Sequence, residues 1–361
     1  MKLIYLTVAT IPNKTAHSKY VMKLCEAFSK NGVDTTVVSG KPFGDNTEQS
    51  IKSTRLVVKE NRYKSFILAI FHFLFILQKK IFFQSKNDIY IVHNTYSALA
   101  CSILKVNYII DMHSKIFNNQ KAKKILFKHL PLFWIVQSNL LKKFVKNEIG
   151  IDENNILLSR NAISKDEECQ KVNNFQEDDE MLKFAYIGSL EPNRGFGKFI
   201  QLFENHVYDY MIYVAGDYNR FKNYYDDIIN NMAKKPNIVF LGFLNDEEIN
   251  YVCKNVDILL TLYTTQISTI GYASPMKIFE YLRIDKRIIA PKIADIEEIV
   301  EYYDCEDRMR WYKIDDIKSL NSVITKVLNE SRNLKFKDID VETWDDKARN
   351  ILKIINDRIK T

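Results

Sequence analysis

Short apolar segments of five to eight residues alternate with helix-length segments along most of the chain. They are nearly continuously apolar and rich in Val, Ile, Leu and Tyr, which is typical of strands buried on both faces of a parallel sheet. The segments cover residues 3–9, 35–40, 88–93, 107–113, 133–138, 155–159, 183–188, 210–217, 237–242, 257–263 and 287–291. The pattern predicts an α/β protein whose parallel sheets are covered by helices on both faces.

A polar stretch at residues 164–180, SKDEECQKVNNFQEDDE, interrupts this alternation and predicts an interdomain linker. Because 361 residues exceed the size of one ordinary core, we expect two domains, the first ending at residue 164 and the second beginning at 165. Each is predicted to be a doubly wound, Rossmann-like domain. Such sheets bind ligands at the carboxyl ends of their strands, so two facing domains would form one cleft.

The segment SFILAIFHFLFIL at residues 65–77 is apolar on every side and contains His72. Its thirteen residues fall short of the roughly 20 that a membrane-spanning helix requires. The pattern favours a buried or half-buried helix. A helix lying in the membrane interface is the alternative, because basic residues flank the segment. These are Arg62, Lys64, Lys79 and Lys80.

The five cysteines are scattered, form no C-x-x-C pair and are odd in number. This distribution argues against a disulfide framework or a cysteine zinc site and suits the reducing cytoplasm. The first residues, MKLIYLTVATIPNK, contain an apolar run that ends at Pro12 and predict a first strand, not a signal peptide. We therefore expect a cytoplasmic protein.

The net charge of +7 hides opposite charges in the two predicted domains. Residues 1–164 carry 24 basic and 10 acidic side chains, a net +14, whereas residues 165–361 have a net charge of −7. Between residues 115 and 146 there are eight lysines and no acid. With the interleaved Phe and Leu, these lysines suit an anionic membrane surface; a solvated helix face is the alternative. The residues proposed for this basic patch are Lys121, Lys123, Lys124 and Lys128.

Several well-known motifs are incomplete or missing. The segment 195–200, GFGKFI, lacks the third glycine of a dinucleotide fingerprint and begins seven residues after its strand. Neither H-E-x-x-H nor G-x-S-x-G occurs, and the D-x-D of Asp338 and Asp340 lies near the C-terminus, away from any predicted strand end. No RNA-binding signature is present. The sequence therefore predicts no dinucleotide cofactor, no metal and no nucleic-acid partner.

Two loop segments after strands suggest a different way to bind phosphate. The segment 187–200 places Arg194 and Lys198 at the start of a helix, and the segment 264–280 leads from a strand into another helix. The backbone N–H groups of such a helix start favour a diphosphate, with Lys277 as a further cation. Glu280 follows one turn later and is expected to accept hydrogen bonds from the hydroxyls of a ribose.

The order of these segments resembles that of retaining GT-B glycosyltransferases of family four. Four segments of the C-terminal half resemble the donor domain of this family: KFAYIGSLEPNRG, YVAGD, NIVFLGFLNDEEINYVCKNVDILLTLY and SPMKIFEYLRIDKRIIAP. Four segments of the N-terminal half resemble the acceptor domain of this family: HSKYVMKLCEAFSKNGVDTTVVSG, DIYIVHNTYSALA, IIDMHS and IVQSNLLKKFV. The resemblance implies an acceptor domain at 1–164, a donor domain at 165–343, and a final helix at 344–361 that crosses back to the first domain.

The resemblance also implies the roles of individual residues. His113, Arg194 and Glu280 match catalytic positions: the histidine that approaches the transferred sugar, a diphosphate ligand and the ribose ligand. The implied donor-binding set is Gly188, Ser189, Arg194, Lys198, Phe243, Leu244, Tyr272, Ser274, Pro275, Met276, Lys277 and Glu280. The implied acceptor-binding set is Thr15, His17, Ser18 and His93.

Three positions depart from the family pattern. Tyr272 replaces the first acid of the E-x7-E motif, and Ser189 stands where a second basic diphosphate ligand is often found. Lys277 or Lys198 is expected to substitute for that ligand. The N-terminal glycine-rich loop is also missing, and Thr15, His17 and Ser18 occupy the corresponding stretch.

The sequence thus resembles a retaining glycosyltransferase, and the resemblance implies transfer of a hexose-type sugar from a nucleoside diphosphate sugar to an acceptor hydroxyl. The expected acceptor is a lipid-linked glycan of surface polysaccharide synthesis at the inner face of the membrane. No cofactor or metal is expected. Two alternatives are a sugar-nucleotide epimerase of the same architecture and an inactive glycosyltransferase-like partner subunit.

Overall fold

The computed structural model describes most of the chain as two units. The described residues are 1–11, 15–40, 52–56, 64–82, 88–115, 120–165, 168–176, 181–205, 210–232, 236–267, 270–272, 274–330 and 334–360. The N-terminal unit comprises residues 1–164, 272–274 and 342–361, and the C-terminal unit comprises residues 165–271 and 275–341.

The N-terminal unit contains a seven-stranded parallel sheet with the strand order β3-β2-β1-β4-β5-β6-β7. Its elements are β1 (Lys2–Thr10), α1 (Ala16–Lys30), β2 (Asp34–Gly40), β3 (Lys52–Leu56), α2 (Lys64–Phe82), β4 (Asp88–Val92), α3 (Thr95–Leu104), β5 (Tyr108–Met112), α4 (Gln120–Leu126), β6 (Trp134–Val136), α5 (Asn139–Phe144) and β7 (Ile156–Leu158). The central strands β4, β5 and β6 are buried throughout. Their apolar side chains form the main core of this unit.

The C-terminal unit contains a six-stranded parallel sheet with the order β10-β9-β8-β11-β12-β13. Its elements are β8 (Leu182–Ile187), α6 (Phe196–Gln201), β9 (Tyr210–Ala215), α7 (Lys222–Asn230), β10 (Ile238–Gly242), α8 (Asp246–Lys254), β11 (Ile258–Leu260), α9 (Met276–Leu282), β12 (Arg287–Pro291), α10 (Ala294–Tyr303), β13 (Met309–Tyr312) and α11 (Ile317–Leu328). Strands β8 and β9 are fully buried. Both sheets confirm the predicted α/β fold with doubly wound parallel sheets.

The final helix, α12 (Trp344–Lys360), belongs to the N-terminal unit and packs against α1. The chain enters it through a short parallel bridge between Ile163 and Thr343. Thr343 and Asp346 cap its first turn, because each side chain accepts a hydrogen bond from the other's backbone N–H at 3.1–3.2 Å. Tyr20 of α1 meets Trp344 edge-on, with ring centroids 5.4 Å apart.

Each of the eleven predicted strand segments overlaps a strand, but two strands were missed. These are β3 and β13, which lie at the edges of their sheets. An edge strand is paired on one side only and tolerates polar residues, as in KSTRL of β3. Neither strand has the continuous apolar pattern by which the others were recognised.

The apolar segment 65–77 lies within α2, which is half-buried. One side of the helix is buried through Leu68, Ile76 and His72, and the His72 Nδ1 lies 2.8 Å from the Ser97 hydroxyl on α3. The opposite side exposes large apolar residues. These are Ile70, Phe71, Leu74, Ile81 and Phe82. The predicted half-buried helix is therefore confirmed.

Candidate active site

Three histidines lie together at the carboxyl edge of the N-terminal sheet. His93 directly follows β4, His113 directly follows β5, and His17 lies in the first turn of α1, which follows β1. Because β1, β4 and β5 are neighbours in the sheet, these positions converge. The ring centroid of His17 is 4.5 Å from that of His93 and 5.2 Å from that of His113. We call these three residues the histidine cluster.

Two members of the cluster are neutral near pH 7. Burial, followed by the nearby charge of His113, lowers the pKa of His17 to about 4. Burial also holds the pKa of His93 well below its usual range, with the charges of His17 and His113 acting in the same direction. Their nitrogens therefore suit hydrogen bonds to neutral hydroxyls better than binding of an anion.

A buried carboxylate, Asp111 on β5, lies beneath the cluster. It accepts hydrogen bonds from the Tyr5 hydroxyl at 2.9 Å and the Tyr20 hydroxyl at 3.3 Å, and its Oδ1 lies 3.3 Å from His113 Nε2. Burial alone would raise the pKa of Asp111, but the charges of His113 and Lys347 and the hydrogen bonds hold it well below its usual range. Asp111 therefore stays ionised inside the protein.

The other two residues predicted to bind the acceptor lie at the start of α1. Thr15 is the N-cap, and its hydroxyl accepts a hydrogen bond from the Ser18 backbone N–H at 3.3 Å. Thr15 is exposed, whereas Ser18 is buried. This geometry shows a helix-capping role for Thr15.

The C-terminal unit places its predicted phosphate ligands after β8. Gly188 and Ser189 follow the strand, Arg194 ends a 3-10 turn at Pro192–Arg194, and Lys198 is exposed on α6. Gly195 between them has a φ of 88°, in the left-handed region that favours glycine. This turn places Arg194 directly before α6, in the loop that follows β8.

Arg194 is partly buried and lightly restrained. Its Nε lies 3.8 Å from a carboxylate oxygen of Glu191 and makes no hydrogen bond to any residue that the structure describes. The buried Tyr186 and the partly buried Tyr263 interact electrostatically with Arg194. Desolvation raises the pKa of Tyr263 to about 12 despite this positive charge. An arginine with an unused buried donor is suited to binding an anion.

The strand ends beside β8 approach each other closely. The backbone N–H of Gly188 donates to Ala215, and that of Gly216 donates to Gly242, at 2.8–2.9 Å. A Cβ at Gly216 would lie 2.3 Å from the carbonyl oxygen of Gly188, so only glycine fits there. Beyond β10, Phe243 is 49% exposed and Leu244 is half-buried.

The loop before α9 is anchored at several points. Thr264 donates from its hydroxyl to the carbonyl oxygen of Asn193, which connects this loop to the turn that carries Arg194. Asp315 accepts from the backbone N–H of Thr265 at 3.0 Å, and Asp295 accepts from that of Gly271 at 2.8 Å. The loop is thus fixed by two acids that sequence reasoning did not identify.

Tyr272 and Ser274, predicted as donor-binding residues, make their contacts within the N-terminal unit. The Tyr272 ring packs against the core of that unit, with the Lys115 ammonium 4.5 Å from its centroid. The carbonyl oxygen of Tyr272 accepts from the Ser138 hydroxyl at 3.1 Å. Ser274 is buried and bonded to Asn161.

Glu280 lies on α9 and forms an ion pair within its own helix. Lys277 Nζ donates to a Glu280 carboxylate oxygen at 2.7 Å, and the two side chains are 27% and 17% exposed. The next residues on either side, Phe279 and Tyr281, are fully buried. Lys277 is therefore paired with Glu280. Pro275 is the N-cap of α9, and Met276 is its first residue.

The basic patch lies on α4 and the turn after it. Lys124 and Lys128 are exposed, and Lys123 Nζ donates to the carbonyl oxygen of Glu148 at 2.5 Å. The side chain of Lys121 lies outside the described residues. Phe127 and Leu130 are 45% and 46% exposed beside these lysines.

The part of the chain that the structure describes contains neither a membrane-spanning helix nor a metal cluster. Within the described ranges, no helix has both the length and the apolar character needed to cross a membrane. Among the side chains that the structure describes, no group of three or more His, Cys, Asp or Glu is arranged to hold a metal ion.

The principal residues that sequence reasoning missed are Asp111, Gln137 and Lys347. Asp111 carried a usable signal, because it is the only charged residue in the apolar segment NYIIDMH. Gln137, whose amide approaches His113 at 2.8 Å, follows β6 and also stands out in the segment FWIVQS. Lys347 carried no such signal, since a lysine on an amphipathic helix is ordinarily exposed.

Solved structures with the same architecture cover nearly the whole chain. A glycosyltransferase from Rickettsia africae matches with a TM-score of 0.69 at 13% identity, covering 100% of this chain and 99% of that one. Anabaena HepE in complex with UDP and glucose matches with a TM-score of 0.66 at 13% identity, covering 100% and 98%. WaaG, a glycosyltransferase involved in lipopolysaccharide biosynthesis, matches with a TM-score of 0.63 at 12% identity, covering 97% and 95%.

At identities this low, the structural similarity shows only that the fold is shared. Membership of a family is shown by a match to the sequence model of that family. No curated protein matches the chain by sequence. The family described as glycosyl transferases group 1 matches residues 166–358, which is more than half of the chain. The two doubly wound sheets, the architectural neighbours and this match agree. The chain therefore belongs to the glycosyl transferases group 1 family and is a glycosyltransferase of the GT-B fold.

Proposed function

We propose that the protein transfers a hexose-type sugar, with retention of configuration, from a nucleoside diphosphate sugar to a hydroxyl of a lipid-linked glycan. The observation that carries this proposal is Arg194. It lies in the loop between β8 and α6, in the part of the chain that matches the family, and its Nε is buried without a hydrogen bond among the described residues. A diphosphate supplies the acceptor oxygens that this guanidinium lacks.

Glu280 is the proposed ligand of the ribose. Its carboxylate has two oxygens, one of which accepts from Lys277. A carboxylate accepts several hydrogen bonds, so it can keep this ion pair and still accept from sugar hydroxyls. The pairing with Lys277 orients the Glu280 carboxylate on a short helix. Lys198, exposed on α6 after Arg194, is the proposed second diphosphate cation.

The reaction is proposed to need no metal. Arg194 and Lys198 supply positive charge where the leaving diphosphate develops negative charge, and that electrostatic stabilisation is usually a large part of catalysis. Positioning of donor and acceptor supplies the rest. His17 and His93 are proposed to contact acceptor hydroxyls in their neutral state, while His113 approaches the transferred sugar.

The N-terminal unit is proposed to meet the acceptor at an anionic membrane. Lys124 and Lys128 are exposed beside the half-exposed Phe127 and Leu130, and α2 presents an apolar face on the same unit. Helices α2, α3 and α4 pack in sequence, and none of them contains an acidic residue. Basic and apolar residues together are typical of surfaces that bind anionic lipid headgroups. The proposed location is the cytoplasmic face of the cell membrane, in surface polysaccharide synthesis.

A thermal-shift series tests the donor. The full-length protein is titrated with UDP, GDP, ADP and dTDP, because a ligand that binds only the folded state raises the melting temperature according to its affinity. We expect one nucleoside diphosphate to stabilise the protein, and Arg194→Gln to remove the effect. Arg220→Gln is the matched control, since Arg220 is an exposed arginine of the same unit whose guanidinium lies over the Phe221 ring. No stabilisation by any of the four diphosphates would contradict the proposed donor class.

Product analysis tests the chemistry. The protein is incubated with a lipid-linked acceptor and a sugar donor that carries the stabilising nucleoside diphosphate. The anomeric configuration of the product is then determined by NMR. Retention supports the proposal and inversion contradicts it. Sugar epimerisation without transfer would point to the epimerase alternative.

A further inference from the structure

One side of α2 exposes apolar residues along the helix. Six exposed positions fall within an arc of about 120° around the helix axis, since successive residues advance by about 100°. They are Ile70, Phe71, Leu74, Gln78, Ile81 and Phe82, and Gln78 is the one polar residue among them. We call this set the outer face of α2. A surface helix ordinarily has polar residues on its exposed side, and an exposed apolar patch of this kind marks an interaction site.

The C-terminal ends of α3 and α4 continue this apolar surface. Lys80 Nζ of α2 donates to the carbonyl oxygen of Leu104 at the end of α3, at 2.5 Å. The Ser102 hydroxyl of α3 donates to the carbonyl oxygen of Ile125 in α4, at 2.9 Å. These contacts bring the ends of the three helices together. Large apolar side chains are exposed at or just after these ends: Ile81, Phe82, Ile103, Phe127 and Leu130.

The exposed charge around this surface has one sign. Residues 61–147 contain 14 lysines and arginines and two acids, Asp88 and Asp111. Both acids are buried. Exposed lysines lie at the same helix ends as the apolar side chains. They are Lys80, Lys105, Lys124 and Lys128. A partner of this surface must therefore accept apolar side chains and carry negative charge.

A bilayer that contains anionic lipids meets both requirements. Its hydrocarbon accepts apolar side chains, and its phosphates accept the ammonium groups of lysines that extend along the same surface. A second copy of the chain fits this surface poorly, because a symmetric interface would place the lysines of one copy against those of the other. Residues 61–147 supply no exposed acid to pair with them.

We propose that the outer face of α2, with the exposed apolar residues at the ends of α3 and α4, inserts into the interface of an anionic bilayer. The opposite side of α2 stays packed in the N-terminal unit through Leu68 and Ile76, so the helix lies parallel to the membrane plane. The lysines at the helix ends contact the headgroups. This inference rests on the proposed function, in which the N-terminal unit meets an anionic membrane. It adds that apolar insertion, and not charge alone, holds the protein there.

Vesicle binding tests the contribution of the apolar side chains. The triple variant Leu74→Gln/Ile81→Gln/Phe82→Gln keeps every lysine and the net charge, and Gln is a good helix former. Its affinity for phosphatidylglycerol-containing vesicles is expected to fall about 100-fold, because three apolar side chains no longer enter hydrocarbon. An unchanged affinity would overturn the proposal.

The matched control replaces three apolar residues that are exposed elsewhere on the molecule. It is the triple variant Ile317→Gln/Leu334→Gln/Ile359→Gln. We expect this control to bind vesicles as the wild type does. Equal losses in the two triple variants would show that overall surface hydrophobicity, and not the outer face of α2, sets the affinity, and would overturn the proposal.

Quenching by brominated acyl chains tests insertion directly. Phe82→Trp places a fluorophore on the outer face of α2, and Ile359→Trp places one on α12 as the matched control. Vesicles whose lipids carry bromine on their acyl chains are expected to quench the added fluorescence of Phe82→Trp and not that of Ile359→Trp. Equal quenching in both, or no quenching of the added fluorescence in either, would overturn the proposal without recourse to the triple variant.

Two further measurements separate the alternatives. Sedimentation velocity without vesicles tests a second copy as the partner. A dimer that the Leu74→Gln/Ile81→Gln/Phe82→Gln variant dissociates, with vesicle binding unchanged, would assign the outer face to self-association and overturn the proposal. The vesicle measurements need neither donor nor acceptor. Insertion without sugar transfer would therefore refute the proposed function alone, whereas transfer without insertion would refute this inference alone.

Discussion

The carboxyl edges of the two sheets differ in how they use charge. In the N-terminal unit the edge carries a histidine cluster with two neutral members above a buried Asp111, although this half of the chain has an excess of basic residues. In the C-terminal unit the edge presents Arg194 and the exposed Lys198, although that half is net acidic. The N-terminal edge thus relies on neutral imidazoles around a buried carboxylate, whereas the C-terminal edge offers cationic side chains.

The difference shows that net charge and site chemistry are set by separate parts of each unit. The basic excess of the N-terminal half lies partly on the outer surface around α4, where lysines remain hydrated. The charges at the strand ends are few and partly buried, so each interacts more strongly than a surface charge does. The predictions that follow remove surface charges and site charges in turn, from the largest expected effect to the smallest.

Removal of the basic patch should give the largest effect, and only on membrane binding. Each lysine near an anionic surface contributes about 1 kcal/mol, so Lys121, Lys123, Lys124 and Lys128 replaced by Gln should lose about 4 kcal/mol of vesicle binding at low salt. Co-sedimentation with phosphatidylglycerol-containing vesicles measures it, and nucleotide affinity should not change.

The matched control replaces four exposed lysines of the C-terminal unit with Gln. These are Lys254, Lys313, Lys318 and Lys326. The net charge falls by the same amount, so equal losses in both variants would show that overall charge, and not the patch, attracts the protein.

Removal of Arg194 should affect the donor and leave vesicle binding unchanged. Loss of one preorganised donor to a developing negative charge typically lowers the rate by about 10²–10³-fold, and Arg194→Gln is expected to reduce kcat/KM in that range. Steady-state kinetics with varied nucleotide sugar measure the loss. Activity near that of wild type would show that another cation holds the leaving group.

Glu280→Ala is expected to weaken nucleotide-sugar binding by roughly 1.5–3 kcal/mol, the range for a hydrogen bond to a charged group. Because this change also leaves the Lys277 ammonium without its partner, Lys277→Met is measured beside it by calorimetry. A ribose ligand predicts a large loss for Glu280→Ala and a smaller one for Lys277→Met. Equal losses in both variants would mean that the ion pair serves only to stabilise α9.

Acid should destabilise the N-terminal unit through its neutral histidines. The pKa of both His17 and the buried His72 is lowered to about 4, below the ordinary value of 6.5. Between these values the unfolded chain binds protons that the folded state does not, so stability falls as the pH decreases from 6.5 to 4. Urea midpoints measured across this window test the effect. His17→Gln should reduce the dependence of the urea midpoint on pH. An unchanged dependence would contradict the burial of the His17 ring.

Chelation should have the smallest effect. If Arg194 and Lys198 neutralise the diphosphate, transfer continues in EDTA at nearly the rate seen without it. Activity is compared before and after dialysis against EDTA, followed by addition of magnesium or manganese. A loss that either metal restores would show that the leaving group is held by a metal ion.

The fold was largely predictable because each buried strand has a continuously apolar sequence. Segments such as DIYIVH and KFAYIG are continuously apolar, since both faces of a central parallel strand are covered. The edge strands β3 and β13 were missed because one-sided pairing removes that requirement. The candidate site was predictable where a residue directly follows a strand, as His93, His113 and Gly188 do, because parallel strands end at one edge.

The sequence by itself determined the alternation of strands and helices, the identity of the strand-end residues and the family, because these depend on local order along the chain. Only the tertiary structure decided the partners of those residues. It anchored the loop before α9 on Asp295 and brought Lys347 to Ser159, 188 residues away in the sequence. Such pairings follow from the packing of distant elements. A buried charge selects its partner by proximity in space, which local sequence does not record.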